Sequence, residues 1–416
     1  MVRGRVYGRA PGALRGAARA AYDAAVAMEP APDYRAVARA LAPRIVAAAD
    51  KIEQERRIVQ PLFDELVDAG LFKLLLPRWL GGAEVDPVTF VEVIEEVARA
   101  DASTAWVMCQ TAGCSMAAAY LEPAVAREIF GGTPHGILAW GPGAGARAVR
   151  VHGGYRVSGT FNFLSGCRHA TWVGGMCAVT DPEGARPDAA EGRPGVRWFL
   201  FPVGRVTLLD VWHVIGLRGT GSDAFTVTDA FVPEAYTVPR ENEARPRDPS
   251  PLYRFPMVTM FAVGFAGVAL GVARSLLDAI VALARDKVPR GMRGPLREHG
   301  AFQAGLAQAE ARLGSARLWL LTLLGEAWRA AGVAGRLSLE HRVRLRLAAS
   351  WAILMATQVG DFAYHAAGGT AVFVGAPFER RFRDLHTVTQ QLQGRLDHFE
   401  TVGQFLLGLE PDTAHL

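Results

Sequence analysis

The residues best suited to chemistry fall in two short stretches. "GLRGTGSDAF" contains Gly219-Thr220-Gly221-Ser222, the densest run of small and hydroxyl residues in the chain, and "FLSGCRH" brings together Ser165, Cys167 and His169. A phosphate cradle needs a Lys after its last Gly and a helix behind it. Here no Lys follows, and Phe225, Val227, Phe231 and Val232 read as a strand stopped by Pro233. Triphosphate and dinucleotide cradles are thereby excluded, and the run reads as a loop between strands. Cys109, Cys114, Cys167 and Cys177 form no C-x-x-C pair and have no histidines at zinc spacing, so no metal site is expected, and reduced thiols in a cytoplasmic protein are. Gln110 and Cys114 are one helical turn apart, a spacing that suits either a cavity wall or ordinary helix packing.

The elements that must position these groups change period twice. Residues 33–134 read as a helical domain, with Pro61 at a helix start, Gly70 at a helix end and an N-cap near Asp101-Ala102-Ser103. Residues 135–245 read as a β-domain, with a hairpin turning at Gly153-Gly154, strands at "VRWFLFPV" and "AFTVTDAFVP", and a polar Pro/Gly loop from Thr180 to Gly195. Residues 246–416 hold four long helical stretches with short joints, the pattern of a four-helix bundle, the last running unbroken from "FERRF" to "LEP". Lys287 and Arg290 close the first of these helices, where cations suit a C-terminus.

Composition narrows the partners. Of 45 basic residues, Arg3, Arg5, Arg9, Arg15 and Arg19 lie in an acid-free N-terminal stretch, leaving 40 against 41 acidic residues, so the body carries no nucleic-acid footprint. Residues 1–32 read as a disordered Arg/Ala-rich leader without the apolar core of a secretory signal. Met257 to Leu283 is the most apolar run, but Arg274 and Asp278 interrupt it at helical spacing, as in a buried helix rather than a membrane span.

With the order helical, β, four-helix bundle stand "GYRVSGTFNFLSGCRHATW", "GLRGTGSDAFTVTDAFVP", "GVALGVARSLLDAIV" and "AAGGTAVF" followed by "PFERRFRD". In these motifs the chain resembles the acyl-CoA dehydrogenase fold from about Asp33 to Leu409: an N-terminal helical domain, a middle β-barrel or sandwich, and a C-terminal bundle. The resemblance implies a flavin between β-domain and bundle, with the loop Gly219–Ser222 in its pocket.

A dehydrogenase of this fold needs a carboxylate base for the proton next to the thioester carbonyl. The two places where the family carries it fall here on Leu392 and Phe261, neither of which takes a proton, while Glu400, further along the same helical stretch, stays open as a base on the sequence alone. The chain is more similar to the two-component flavin-dependent monooxygenases, in the indole-3-acetate monooxygenase branch. That resemblance implies reduced flavin (FADH2 or FMNH2) from a separate reductase, O2, a C4a-hydroperoxyflavin, a small indole-like aromatic substrate, and a homotetramer built as a dimer of dimers. It also implies site residues. Ser165 faces the flavin as the expected hydroxyl donor. Trp212, Gly221 and Ser222 flank the ring, and Lys287 or Arg290 meets the flavin phosphate. Gly368 and Gly369 approach the flavin across a subunit boundary, and Gln110 and Cys114 line the substrate pocket. Where the branch usually carries a catalytic His stands Gln391, with His386 nearest on the same stretch. The alternatives are an acyl-CoA dehydrogenase-type flavin oxidoreductase and a catalytically silent flavin- or ligand-binding relative.

Overall fold

The computed structural model describes residues 32–180, 195–239, 245–334 and 336–416. The expected leader, apart from its last residue, and nearly all of the polar loop after Thr180 lie outside them.

The N-terminal helices are α1 (Tyr34–Glu55), α2 (Leu62–Asp68), α3 (Pro87–Ala100) and α4 (Ala102–Ser115). Their starts are written locally. Asp86 caps α3 by accepting from Val88 N and Thr89 N, with Pro87 at the first helical position. Asp101 caps α4 through Thr104 N at 2.7 Å, at the expected break. Every residue of α4 is buried, so its polar side chains must find partners inside the protein.

Strands β1 (Leu138–Val151), β2 (Gly154–Phe161), β3 (Trp172–Thr180), β4 (Val196–Pro202), β5 (Thr207–Leu209), β6 (Ala224–Pro233) and β7 (Thr237–Pro239) follow. They form one seven-stranded sheet in the order β5-β6-β2-β1-β3-β4-β7, which is the form the expected barrel or sandwich takes. The β1–β2 hairpin closes at Val151↔Gly154 beside Gly153, whose φ of +77° needs glycine. β1 and β3 run parallel, so their ends open toward the same side.

The C-terminal helices are α5 (Met257–Ala284), α6 (Gly300–Ala334), α7 (Leu339–Ala367), α8 (Glu379–Val388) and α9 (Asp397–Leu406). By length and composition α5 could cross a membrane, but 89% of its most apolar window is buried, and it packs on α7, α3 and α4 as the central core helix. The fourth bundle stretch is not continuous as expected. It breaks between Val388 and Asp397, where Gln391 takes an extended conformation and its side chain accepts from Gln393 N at 2.6 Å. A Cβ at Gly394 would press on the Thr389 backbone, so glycine permits the fold-back that ends α8.

Candidate active site

A cavity of about 460 Å³ opens between the sheet, α4, the start of α5 and the break after α8, within the range of small-molecule and cofactor sites. Its sheet side carries Trp140, Met176 and Trp198, and its helical side Trp106, Gln110 and Phe261. Trp140 and Trp198 stack at 4.1 Å, and Trp106 stacks on Phe265 at 3.9 Å, giving flat, rigid walls.

The loop from Trp212 to Ser222 is held from three sides. Asp223, buried behind it, accepts Val211 N and Trp212 N, each at 3.1 Å, and Arg168 Nε at 2.7 Å. Arg383 donates to Ile215 O, and the neighbouring Asp384 accepts Leu217 N at 2.6 Å. Gly219 lies so close to Ile52 and Ser103 that a Cβ would collide, and Gly221 has a φ of +48°. The glycines thus serve close approach and turning.

From this anchored loop a row of polar groups runs along the cavity wall. Trp212 Nε1 and Thr220 Oγ1 donate to Leu217 O at 3.0 and 2.8 Å. Thr220 Oγ1 and Ser222 Oγ are 2.7 Å apart, as are Ser222 Oγ and Ser165 Oγ, and Trp106 Nε1 donates to Ser165 Oγ at 3.0 Å. Each hydroxyl has one proton. Thr220 gives its proton to the carbonyl, so Ser222 donates to Thr220 and Ser165 donates to Ser222. Ser165 therefore offers the cavity an acceptor, not the expected donor, because its proton is already committed.

Gln391 lines the cavity from the turn after α8; its carbonyl end holds Gln393 N, which leaves the amide NH2 to donate. Leu392 and Phe261 both line the cavity, and among the described lining residues no Asp or Glu side chain occurs. Arg395 is the lining Lys or Arg side chain there, at an exposed position.

The remaining expected residues lie elsewhere. His386 turns away from the cavity, its Nε2 2.8 Å from Asp361 Oδ1 and its ring against Phe382, so a helix rotation separates it from the lining Thr387. Cys114 sits behind Gln110 without lining the cavity, and burial raises its thiol pKa well above the usual range. Lys287 donates to Ala367 O and to Thr370 Oγ1, capping α7 where Gly368 turns the chain with a φ of +53°. Arg290 is exposed, and neither cation nor Gly368 nor Gly369 lines the cavity. His169 stacks on Phe63 and accepts Ile58 N, a structural role, and burial pushes its pKa down to about 4.

Several lining residues went unread in the sequence. Trp106 stands four residues before Gln110, a helical spacing that could have marked it. Trp140 begins the small-residue run Gly141-Pro142-Gly143-Ala144-Gly145, which breaks the strand pattern and is a signal of close approach. Trp198 and the tail residues Ala414 to Leu416 carry no local signal.

The lining chemistry, flat indole walls with hydroxyl acceptors and amide donors at one edge, fits a planar heteroaromatic group such as a flavin ring. Known proteins agree in kind. The chain is 27% identical over 373 residues to an indole-3-acetate monooxygenase of Pseudomonas putida, covering 89% of this chain and 92% of that one. It is 27% identical over 381 residues to the oxygenase component of an FADH2-dependent resorcinol hydroxylase of a Rhizobium species, covering 88% and 91%. Among solved structures, XiaF from a Streptomyces species, in complex with FADH2 and glycerol, superposes with a TM-score of 0.83 at 25% identity over 91% of this chain and 97% of that one. The acyl-CoA dehydrogenase N-terminal domain matches residues 32–128 and the acyl-CoA dehydrogenase C-terminal domain residues 263–393. By fold, by motif and by these matches at both ends, the chain belongs to the acyl-CoA dehydrogenase family, and its relatives are flavin-dependent monooxygenases.

Proposed function

We propose that this chain is the oxygenase component of a two-component flavin-dependent monooxygenase. It takes reduced flavin, FADH2 or FMNH2, from a separate reductase and uses O2 to oxygenate a small, indole-like aromatic substrate. The observation that carries this reading is the apolar character of Leu392 and Phe261 inside a cavity without a lining Asp or Glu side chain. Among its described lining residues such a site has no side-chain carboxylate, the base a dehydrogenase of this fold uses beside a carbonyl, which argues against acyl-CoA dehydrogenation.

When bound, the reduced flavin supplies the electrons that activate oxygen. The chain's own residues bind, orient and exclude water. Trp212 and the Ser165–Ser222–Thr220 row offer a flat wall and acceptors, and the Gln391 amide offers a donor. Trp140, Trp198 and Phe261 present dry aromatic surface suited to an aromatic substrate. Gln391 cannot move a proton at neutral pH, so its part is to hold a polar atom.

The oligomer in this proposal is a dimer of dimers. Leu318 and Trp351 are 68% and 36% exposed on α6 and α7, and Val372, Phe373 and Val374 are 63%, 68% and 86% exposed just beyond Gly368-Gly369. Such apolar exposure favours burial against another copy, which would bring Lys287, Arg290 and the paired glycines to a shared edge for the flavin phosphate. Four buried free thiols suit a reducing, cytoplasmic compartment.

The test is anaerobic loading with reduced flavin, mixing with 18O2 and a panel of indoles and phenols, and mass spectrometry of the products. The reading predicts one 18O atom in an aromatic product. Dehydrogenation of an acyl-CoA, or flavin turnover yielding no oxygenated product across the panel, would overturn it.

A further inference from the structure

We infer that Arg346 is a positioning residue that sets which aromatic rings the cavity admits, because its buried guanidinium braces two separate lining segments, the turn after α8 and the segment Asp412–Leu416. The inference rests on the aromatic-substrate reading above and needs no assigned place for the flavin.

The two segments share one anchor. Leu392, Gln393 and Arg395 of the turn line the cavity, and so do Ala414, His415 and Leu416. Arg346, 1% exposed on α7, donates through Nη1 to Gln393 Oε1 and through Nη2 to His415 O. A guanidinium holds its donors in a rigid planar fork, so one side chain fixes both acceptors relative to each other and to α7. Three residues earlier on the same face of α7, Val343 packs with Leu416 and Val402. Gln393 passes the constraint on, since its backbone N–H donates to Gln391 Oε1 at 2.6 Å. The next carbonyl, Leu392 O, accepts His398 Nε2 at 2.8 Å.

Packing alone does not call for an arginine here. Burial pushes its pKa down to about 9, no Asp or Glu among the described residues pairs with it, and its Nε finds no acceptor. Exchanging a buried charge for an apolar side chain of similar size is often neutral or stabilising. An apolar side chain cannot, however, hold an amide oxygen and a carbonyl that belong to two different stretches of wall. These stretches need holding. Gln391 is extended, and Leu392–Gly394 and Thr413–His415 are single three-residue turns, too short to keep their shape unaided. The sheet and α4 supply rigid walls elsewhere, so the braced side is the one that decides ring size.

The experiment compares wild type, Arg346→Met, Arg346→Lys and Gln393→Met as full-length proteins loaded anaerobically with reduced FAD. Two measurements are made: backbone hydrogen exchange by mass spectrometry, and dissociation constants for indole and for the three-ring β-carboline. Arg346→Met is expected to speed exchange about tenfold in residues 389–396 and 412–416 together, with the rest of the chain as in wild type. The slackened wall then admits the larger ring, and the ratio of β-carboline to indole dissociation constants falls by about tenfold. Arg346→Lys keeps the charge but reaches one acceptor at a time, so one segment stays slow and the ratio falls part of the way. Gln393→Met removes one arm and speeds the turn alone, while 412–416 keeps its wild-type rate. These two variants carry the test if Arg346→Met does not fold.

Unchanged exchange in both segments overturns the inference, as does faster exchange spread evenly over the chain, which marks a residue that only supports the fold. Loosened segments with an unchanged ratio overturn the role in ring selection. Each of these leaves the proposed function standing. Failure of wild type to bind either probe counts against the aromatic-substrate reading and removes the role in ring selection with it.

Discussion

Asp223 is the side chain on which the placement of Trp212 most depends. It is 5% exposed, and its two oxygens accept Val211 N, Trp212 N and Arg168 Nε. In Asp223→Ala all three bonds go at once. Removing one member of a buried ion pair costs about 3–5 kcal/mol when the other is left without a partner. Arg168 keeps Asp210 at 3.0 Å and Glu55 O at 3.3 Å, which trims that figure. The two backbone N–H groups sit in an exposed loop and regain water, so the expected loss is about 3 kcal/mol. At roughly 2 °C per kcal/mol for a large cooperative unit, the melting temperature falls by about 6 °C. Asp223→Asn keeps a carbonyl oxygen for the two N–H groups but loses the charge and puts an NH2 donor where Arg168 Nε–H needs an acceptor, so most of the fall remains. With this side of the loop released, Trp212 loses its fixed position while Asp384 still holds Leu217, and reduced-flavin affinity in Asp223→Ala drops by up to about tenfold. Differential scanning fluorimetry and anaerobic flavin titration measure the two effects. An Asp223→Ala protein that melts within a degree of wild type, with unchanged flavin affinity, would refute this account of how the loop is held.

Three further outcomes are expected. Ser165→Ala removes one hydrogen-bond partner, so it weakens reduced-flavin binding by no more than about tenfold while diverting oxygen to hydrogen peroxide, and Gln391→Ala does the same more weakly; an unchanged product-to-peroxide ratio would leave both residues as structural. Burial pushes the Asp384 carboxyl up to about 7, opposed by the Leu217 N–H and reinforced by Asp101 and Glu53. Because the folded value lies above the unfolded one of about 3.9, this contribution is full below about pH 4 and is lost as pH rises through about 7. Asp384→Asn keeps the Leu217 bond and removes the slope, so denaturation curves should show the variant gaining on wild type from pH 5 to 8, by on the order of 2 kcal/mol; parallel pH profiles would contradict it. Light scattering should give a tetramer at micromolar concentration, and Phe373→Glu should dissociate it, whereas a stable wild-type monomer would reject the proposed assembly.

The amino-acid sequence determined the architecture and the family. Period-two alternation set between two helical regions, caps at Asp86 and Asp101, and the hairpin glycine Gly153 are local signals, and local backbone preference was enough to decide them. It also determined that Leu392 and Phe261 cannot act as a base, since that follows from residue type once the motifs fix the spacing. Tertiary structure alone decided the rest of the site. Helical spacing ran straight through the break after Val388, because an extended Gln391 and the fold-back at Gly394 depend on contacts made by the turn itself. His386 and Thr387 are adjacent in sequence, yet one pairs with Asp361 on α7 and the other lines the cavity, a difference set by the rotation of α8. Trp140 and Trp198 meet across β3, 58 residues apart, because sheet order made them neighbours. The polarity of Ser165 belongs to no residue by itself. It is imposed through Ser222 and Thr220 by a carbonyl that Asp384 holds in place from another domain, and a proton's direction is fixed only when every partner in the row is in position.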